Sequence, residues 1–503
     1  MAVDFEGFKK KIILKLGAEW FDDKPETLDR YSEHTLPGEK RRPLAVIYPG
    51  STDEVADIVR VANETKVPLF PLSAGNSIGM GSRTAPSSGM VAVDLGRRMN
   101  RILEVNDELC YVVVEPGVTF QMLHDEFSRL GDKLMVSATS GPPHGSVLGN
   151  AVDKGAGYGP YFDHFGMMCG MEVVLGTGET IRTGDGNLAS GNRVNWHVSK
   201  YSFGPVLDGL FAQANYGIVT HAGFWVMPRP PVARSFHFVF DDDEDIGKIV
   251  DLCRPLKMSN FVPTLFRIAN DLYALSTENV NPEYSTTNKK AISPEARRSI
   301  QQEADLGAWQ VSGCFFGGSE AAVAPSIERV KNHFGRAGGR YISHEEALDI
   351  PALNIAINSM TGRPSAEELG MLKWRSGGGN AWFLPGMPMD GKTAIELDRL
   401  GRDIYAKHGM DYIVMHVAGA RFARGLHVLV WNKDDPDEDQ RANACYVELA
   451  HAFAQHGIGV GRAPNNYYET HMSLLAPEFM EACRSVKSAL DPNNIIAPGK
   501  YGI

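Results

Sequence analysis

Twelve residues constrain this chain more than any others: Pro71-Leu72-Ser73-Ala74-Gly75-Asn76-Ser77-Ile78-Gly79-Met80-Gly81-Ser82. They follow a short apolar run, Val67 to Phe70, that reads as a buried strand with a helical segment before it. Glycine lets the backbone adopt positive φ and approach a ligand closely. Successive amide N–H groups in such a loop form a nest for an anion. The spacing of Gly75, Gly79 and Gly81 matches neither G-x-G-x-x-G nor a P-loop. On its own the stretch is either a diphosphate cradle or a tight turn.

Composition narrows the classes. At 503 residues the chain has room for about two to four domains. Hydrophobic content of 43% and charged content of 22% are those of an ordinary soluble globular protein. A formal charge of −11 argues against a nucleic-acid partner, which needs a basic surface. The six cysteines are scattered without a C-x-x-C pair, so reduced, mostly buried thiols are expected, and no metal site. The N-terminus carries early acids and no apolar core of the signal-peptide kind. No apolar run is long enough to span a membrane. A cytoplasmic protein without a membrane partner is the expectation.

Along the chain, Phe8 to Leu16 reads as a helix and Leu44 to Pro49 as a strand. Ser51 caps a helix running to about Glu64, with Val55, Ile58, Val59 and Ala62 on one face. Met90–Leu95, Ile102–Val105 and Tyr111–Gly117 read as strands, Val118–Leu130 as a helix. A second glycine-dense segment spans 141–160, and Gly176-Thr177-Gly178-Glu179 is a hairpin signal. The composition shifts at Arg229-Pro230-Pro231. Ser235–Phe240 alternates as a strand; 276–303 is a polar surface excursion. Helices follow at 326–333, 392–407 and 439–455, with strands of another sheet at 412–417 and 426–431. A last helix near 477–490 leads to Ile496-Ala497-Pro498-Gly499-Lys500. The pattern is α+β, with strands grouped rather than strictly alternating with helices.

The glycine loop, Val114-Glu115-Pro116-Gly117-Val118-Thr119, Gly145-Ser146-Val147-Leu148-Gly149-Asn150-Ala151-Val152, Gly170-Met171-Glu172-Val173-Val174-Leu175, Gly217-Ile218-Val219-Thr220 and the terminal motif form a set. Together they resemble the FAD-linked oxidases of the vanillyl-alcohol oxidase type, over nearly the whole chain. The resemblance is closest to the branch holding vanillyl-alcohol oxidase, eugenol oxidase and the flavoprotein subunit of 4-cresol dehydrogenase. It implies a two-domain FAD-binding PCMH-type fold. An FAD-binding domain would comprise 1–228 and 458–503; a cap domain with a second antiparallel sheet, 229–457, would cover the flavin. It implies hydride removal from the benzylic carbon of a para-substituted phenol through a quinone methide, with oxygen or another electron acceptor reoxidising the flavin. A homodimer or larger assembly is the family habit.

The resemblance also implies the site. Ser73, Ala74, Gly75, Asn76, Ser77, Ile78 and Gly79 would hold FAD, with Ser146, Gly149, Asn150, Gly157 and Tyr158. Gly217, Ile218, Val219 and Lys500 would complete the cradle. Asp163 matches an acid beside the flavin ring, and Arg462 an arginine near the substrate oxygen. A phenolate needs such partners, because burying it unpaired is expensive. The family's phenol-binding tyrosines fall instead at Met80 and Gly461, which implies a larger, less polar pocket and a bulky, lignin-derived aromatic; Tyr467 and Tyr468 are the expected substitutes. The family's flavin-linking histidine falls at Arg424 or Gly425, so FAD is expected to be non-covalent, with His427 the alternative attachment point. Two other readings stand beside this one: oxidation of a non-phenolic alcohol or hydroxy acid, and a non-catalytic protein with structural FAD, against which Asp163 and Arg462 speak.

Overall fold

The helix over Thr52–Thr65 shows how the first layer is built. Ser51 Oγ accepts from Glu54 N at 3.2 Å, and Val55, Ile58, Val59 and Ala62 are all buried. This helix is the crossover that two parallel strands require. It joins Val46–Ile47 to Leu69–Leu72, each parallel to Val91–Asp94 between them. Phe21–Asp22 adds an antiparallel edge, giving four strands. The opposite edge is covered by the C-terminal tail: Leu69 N donates to Ile495 O at 2.8 Å and Ala497 N to Leu69 O at 2.7 Å. A free edge would expose unpaired backbone groups at the start of the glycine loop.

The chain is described here from a computed structural model covering residues 3–285 and 287–503. Met1 and Ala2 of the acidic N-terminus, and Thr286 in the 276–303 excursion, lie outside the described residues.

A second, antiparallel sheet orders Ile102–Asn106, Tyr111–Val114, Gly217–Trp225, Met168–Leu175 and Thr180–Arg182. Val112, Val114, Met171, Val173 and Ala222 join Phe120, Leu123 and Phe127 of the helix Phe120–Arg129 in one core. A third sheet has eight strands, all paired antiparallel, from Val232–Phe240 to Phe422–Trp431. Helices Asp245–Met258, Gly391–Lys407 and Pro436–Gln455 pack on one face of it. The other face looks toward the first two sheets and a smaller cluster around Met415, Val428 and Val430.

Several elements differ from the sequence reading. The strand expected over 44–49 is only Val46–Ile47. The glycine-dense segment 141–160 contains a short helix, Val147–Val152, whose cap Ser146 accepts from Gly149 N at 2.8 Å. The excursion 276–303 ends in a helix, Pro294–Glu303. Three cap strands, Phe266–Asn270, Trp309–Gly317 and Gly379–Phe383, are not in the sequence reading; burial does not alternate along them, because helices cover one face and other parts of the protein the other. All six cysteines are free thiols. No helix among the described residues is long and apolar enough to cross a membrane.

Candidate active site

The three sheets meet around a cavity of about 690 Å³, walled by the glycine loop, the 139–158 segment, the cap sheet and the C-terminal tail. Gly75, Gly79 and Gly81 have φ of +65°, +72° and +124°. At Gly81 a Cβ would also stand 2.3 Å from Asn465 Nδ2, so only glycine fits. The turn closes through Met80 N and Ser82 N, both donating to Ser77 O at 3.1 Å. Among the described residues, the amides of Gly75, Asn76 and Ser77 meet no protein acceptor. A row of donors without protein partners is the arrangement from which an anion nest can be built. Asn76 Nδ2 ties the loop to His144 O at 2.9 Å.

Of the residues assigned to FAD, Ser73, Gly75, Asn76, Ser77 and Ile78 line the cavity, as do Ser146, Gly149, Asn150, Gly157 and Tyr158. Gly217, Ile218, Val219 and Lys500 line it too. Ala74 and Gly79 do not: they shape the loop, and a Cβ on Gly79 would stand 2.1 Å from Asn380 Oδ1. Asn150 Oδ1 is held by His164 Nδ1 at 2.7 Å, and burial pushes that imidazole down to about 4, so it stays neutral. The Lys500 ammonium faces the cavity near the rings of Phe70 and Tyr501, and burial lowers its pKa. A desolvated cation and a row of free amides in one cavity suit a diphosphate.

The second half of the cavity carries the charged groups. Asp163 caps the short helix His164–Met167, with Oδ1 accepting from Gly166 N at 2.9 Å. Arg462 reaches Asp153 through Nε at 3.0 Å and through Nη2. Tyr501 Oη donates to the other oxygen of Asp153 at 2.8 Å. Asp153 and Tyr501 were not singled out from the sequence; each sits beside a recognised motif but carries no signal of its own. Tyr468 lines the cavity and packs on Tyr501, with 4.9 Å between ring centroids. At the far wall, Glu368 Oε1 accepts from Arg267 Nη2 at 2.5 Å and Tyr273 Oη at 3.0 Å. The Arg267 guanidinium also lies 4.6 Å over the Tyr158 ring.

Two expected residues lie elsewhere. Tyr467 is in the cap core, stacked on Tyr446 with 3.6 Å between centroids, and does not line the cavity. His427 lies on the strand Phe422–Trp431, where Phe422, Arg424 and Leu426 face the cavity. Strand alternation sends His427 to the opposite face, among Phe383, Tyr412 and Phe453. Among the described residues no histidine or cysteine lines the cavity. The same parity splits Trp382, which lines the cavity and donates to Ile78 O at 3.0 Å, from Phe383 in the cap core.

The less polar pocket expected at Gly461 is also corrected. The Arg424 guanidinium fills that space: a Cβ at 461 would stand 2.8 Å from its Nη2 and 2.9 Å from its Cζ and Nε. Met80 does line the cavity as an apolar wall.

Amides and an ammonium suit the diphosphate of a dinucleotide; the acid, guanidinium and phenol beyond them suit redox chemistry on a small oxygenated molecule. Fold and cavity together define an FAD-linked oxidoreductase. Family models agree: one for an FAD binding domain matches residues 43–184, and one for the C-terminal domain of FAD linked oxidases matches 392–501. The 4-cresol dehydrogenase [hydroxylating] flavoprotein subunit of Pseudomonas putida is 34% identical over 505 residues, covering 99% of this chain and 96% of that protein. The crystal structure of p-cresol methylhydroxylase with substrate bound matches with a TM-score of 0.96 and 33% identity, over 100% of this chain and 98% of that one. The isoeugenol complex of 4-ethylphenol oxidase from Gulosibacter chungangensis gives 0.95 and 30% over the same shares. The chain belongs to the FAD-linked oxidase family that includes the 4-cresol dehydrogenase flavoprotein subunit.

Proposed function

We propose that this enzyme oxidises a para-substituted phenol at its benzylic carbon, through a quinone methide. Bound FAD would supply the hydride acceptor; the protein supplies binding, orientation and charge. The observation that carries the reading is Arg462 held by Asp153 at the cavity wall. A guanidinium fixed there stabilises the phenolate form of the ring, and so favours loss of hydride from the benzylic carbon of the para substituent. The three relatives reported above are named for 4-cresol, p-cresol and 4-ethylphenol. Asp163, with Oδ1 on a backbone amide, has a second oxygen with which to take a proton from water or product. Tyr468, close to Tyr501, is the tyrosine candidate that faces the cavity. Tyr467 is left with a packing role.

The same reading keeps the division into 1–228 with 458–503 and 229–457. It takes FAD as non-covalent, because among the described residues no histidine reaches the cavity. The preference for a bulky aromatic now rests on Met80 alone, since Arg424 fills the space beside Gly461. Steady-state rates with 4-methylphenol and with bulkier 4-hydroxyphenyl compounds test both points. Turnover of any of them supports phenol oxidation, and a higher kcat/KM for the bulkier set supports the size preference. Turnover of a hydroxy acid and of no phenol would replace the reading with the non-phenolic one.

A further inference from the structure

Backbone pairing fixes Arg424 and Gly461 against each other. Gly461 N donates to Leu384 O at 3.0 Å, Gly386 N to Gly459 O at 2.9 Å, and Gly425 N to Pro385 O at 2.8 Å. The segment 459–461 and the strand carrying Arg424 are therefore both clamped to one turn, 384–386. Arg424 makes one hydrogen bond, from Nη1 to Lys154 O at 3.0 Å. Gly461 lies under the face of its guanidinium, with a Cβ there 2.8 Å from Nη2 and 2.9 Å from Cζ and Nε, so any side chain would displace the Nε–Nη2 edge. Among the described residues this edge meets no acceptor, and no carboxylate lies within 4.0 Å of the guanidinium. Arg462 differs: two of its N–H groups are spent on Asp153. Burial and the charge of Arg462 both lower the Arg424 pKa, against the opposing pull of Asp163 and Asp153. The cavity thus holds a cation whose fork is open and whose charge is uncompensated by an ion pair.

We infer that Arg424 binds an oxyanion of the substrate, and that glycine at 461 is what gives its guanidinium that place. The inference rests on the reading that the cavity takes an aryl substrate. A planar Nε–Nη2 fork accepts a carboxylate through both oxygens, or a phenolate through one. Either is a full negative charge drawn out of water, which requires a paired donor. Arg424 is therefore a specificity-determining residue, in addition to Arg462, for an anionic oxygen on the ring or on its substituent.

The test is equilibrium binding to the FAD-loaded enzyme, followed by the visible spectrum of the flavin. Three probes without a benzylic C–H, which cannot reduce the flavin, are used: phenol, benzoate and the neutral anisole. The wild type is expected to bind the phenol or the benzoate at least about tenfold more tightly than the anisole, the scale of one charged hydrogen bond. R424Q is expected to lose that advantage while its Kd for the anisole stays within about twofold. A loss confined to the benzoate assigns a carboxylate; a loss confined to the phenol, growing with pH in the wild type, assigns a phenolate. G461A, which crowds the guanidinium without removing it, should weaken the same probe. Equal losses for all three probes, or no loss for either anion, would overturn the inference. Because turnover is not read, the inference survives if Arg424-dependent binding is seen and no phenol is oxidised; only the oxidation reading then fails.

Discussion

Tyr501 donates a hydrogen bond to Asp153 at 2.8 Å, across 348 positions of sequence. Asp153 in turn orients Arg462. The last residues of the chain thus help to set the guanidinium that we assign to the substrate oxygen. Replacing Asp153 with Asn removes the ion pair and leaves Arg462 free to turn away. D153N is expected to lower kcat/KM for a phenol by about 10- to 100-fold at equal FAD content, the worth of a charged hydrogen bond. Y501F leaves the ion pair in place and should cost less. Unchanged kinetics in D153N would remove Arg462 from the account.

Gly149 and Ser73 make a second prediction. A Cβ at 149 would stand 2.1 Å from Ser73 Oγ and 3.2 Å from its Cβ. Ser73 lies at the root of the glycine loop, so G149A should push the loop away from the diphosphate position. FAD content after purification is expected to fall, and S73A in the same chain to restore part of it. Full FAD content in G149A would mean that the loop gives way without loss.

Glu172 ties the first sheet layer to the second. It accepts from Thr52 Oγ1 at 2.8 Å, pairs with Arg182 Nη2 at 2.5 Å, and lies 3.3 Å from His221 Nδ1. Burial alone would raise its pKa; hydrogen bonds from His221 and Thr52, then the charges of His221 and Arg182, outweigh that and hold it at about 2. The folded carboxyl therefore stays ionised where the unfolded one has taken up a proton. Its contribution, of order 3 kcal/mol, is complete above the unfolded pKa near 4.5 and is lost as pH falls toward 2. Urea unfolding of wild type and E172Q should differ most near pH 6 and converge in acid. A difference that stays constant from pH 6 to 3 would contradict this.

His427 gives a covalent-link prediction. Its ring packs among Phe383, Tyr405, Tyr412 and His416 on the helix-covered face of the cap sheet, and burial drives its pKa well down. Acid precipitation should release the flavin to the supernatant, and H427N should leave FAD content unchanged, at some cost in stability. Flavin retained in the pellet would require an attachment residue other than His427.

The parts of this site legible in the sequence are those carried by backbone geometry. Gly75, Gly79 and Gly81, the Ser51 cap and the terminal Ile496 to Lys500 motif all announce local conformations that few residues permit. What was not legible depends on which way a side chain faces. On a strand covered on both sides, polar and apolar residues do not alternate, so nothing in Phe422–Trp431 says that Arg424 faces the cavity and His427 does not. Tyr467 and Tyr468 are adjacent and chemically identical, and only the packing of Tyr467 on Tyr446 separates them. The partnerships of Asp153 with Tyr501 and of Arg424 with Gly461 join distant segments, and each needs the folded chain to be seen.

The most direct test of the central claim is anaerobic mixing of the FAD-loaded enzyme with 4-methylphenol and with a bulkier 4-alkylphenol, followed by the visible spectrum. The account predicts that at least one phenol bleaches the flavin within the turnover time, while lactate and a non-phenolic benzyl alcohol do not. An oxidised flavin that persists with every phenol, and is bleached by the hydroxy acid or the alcohol, would contradict it.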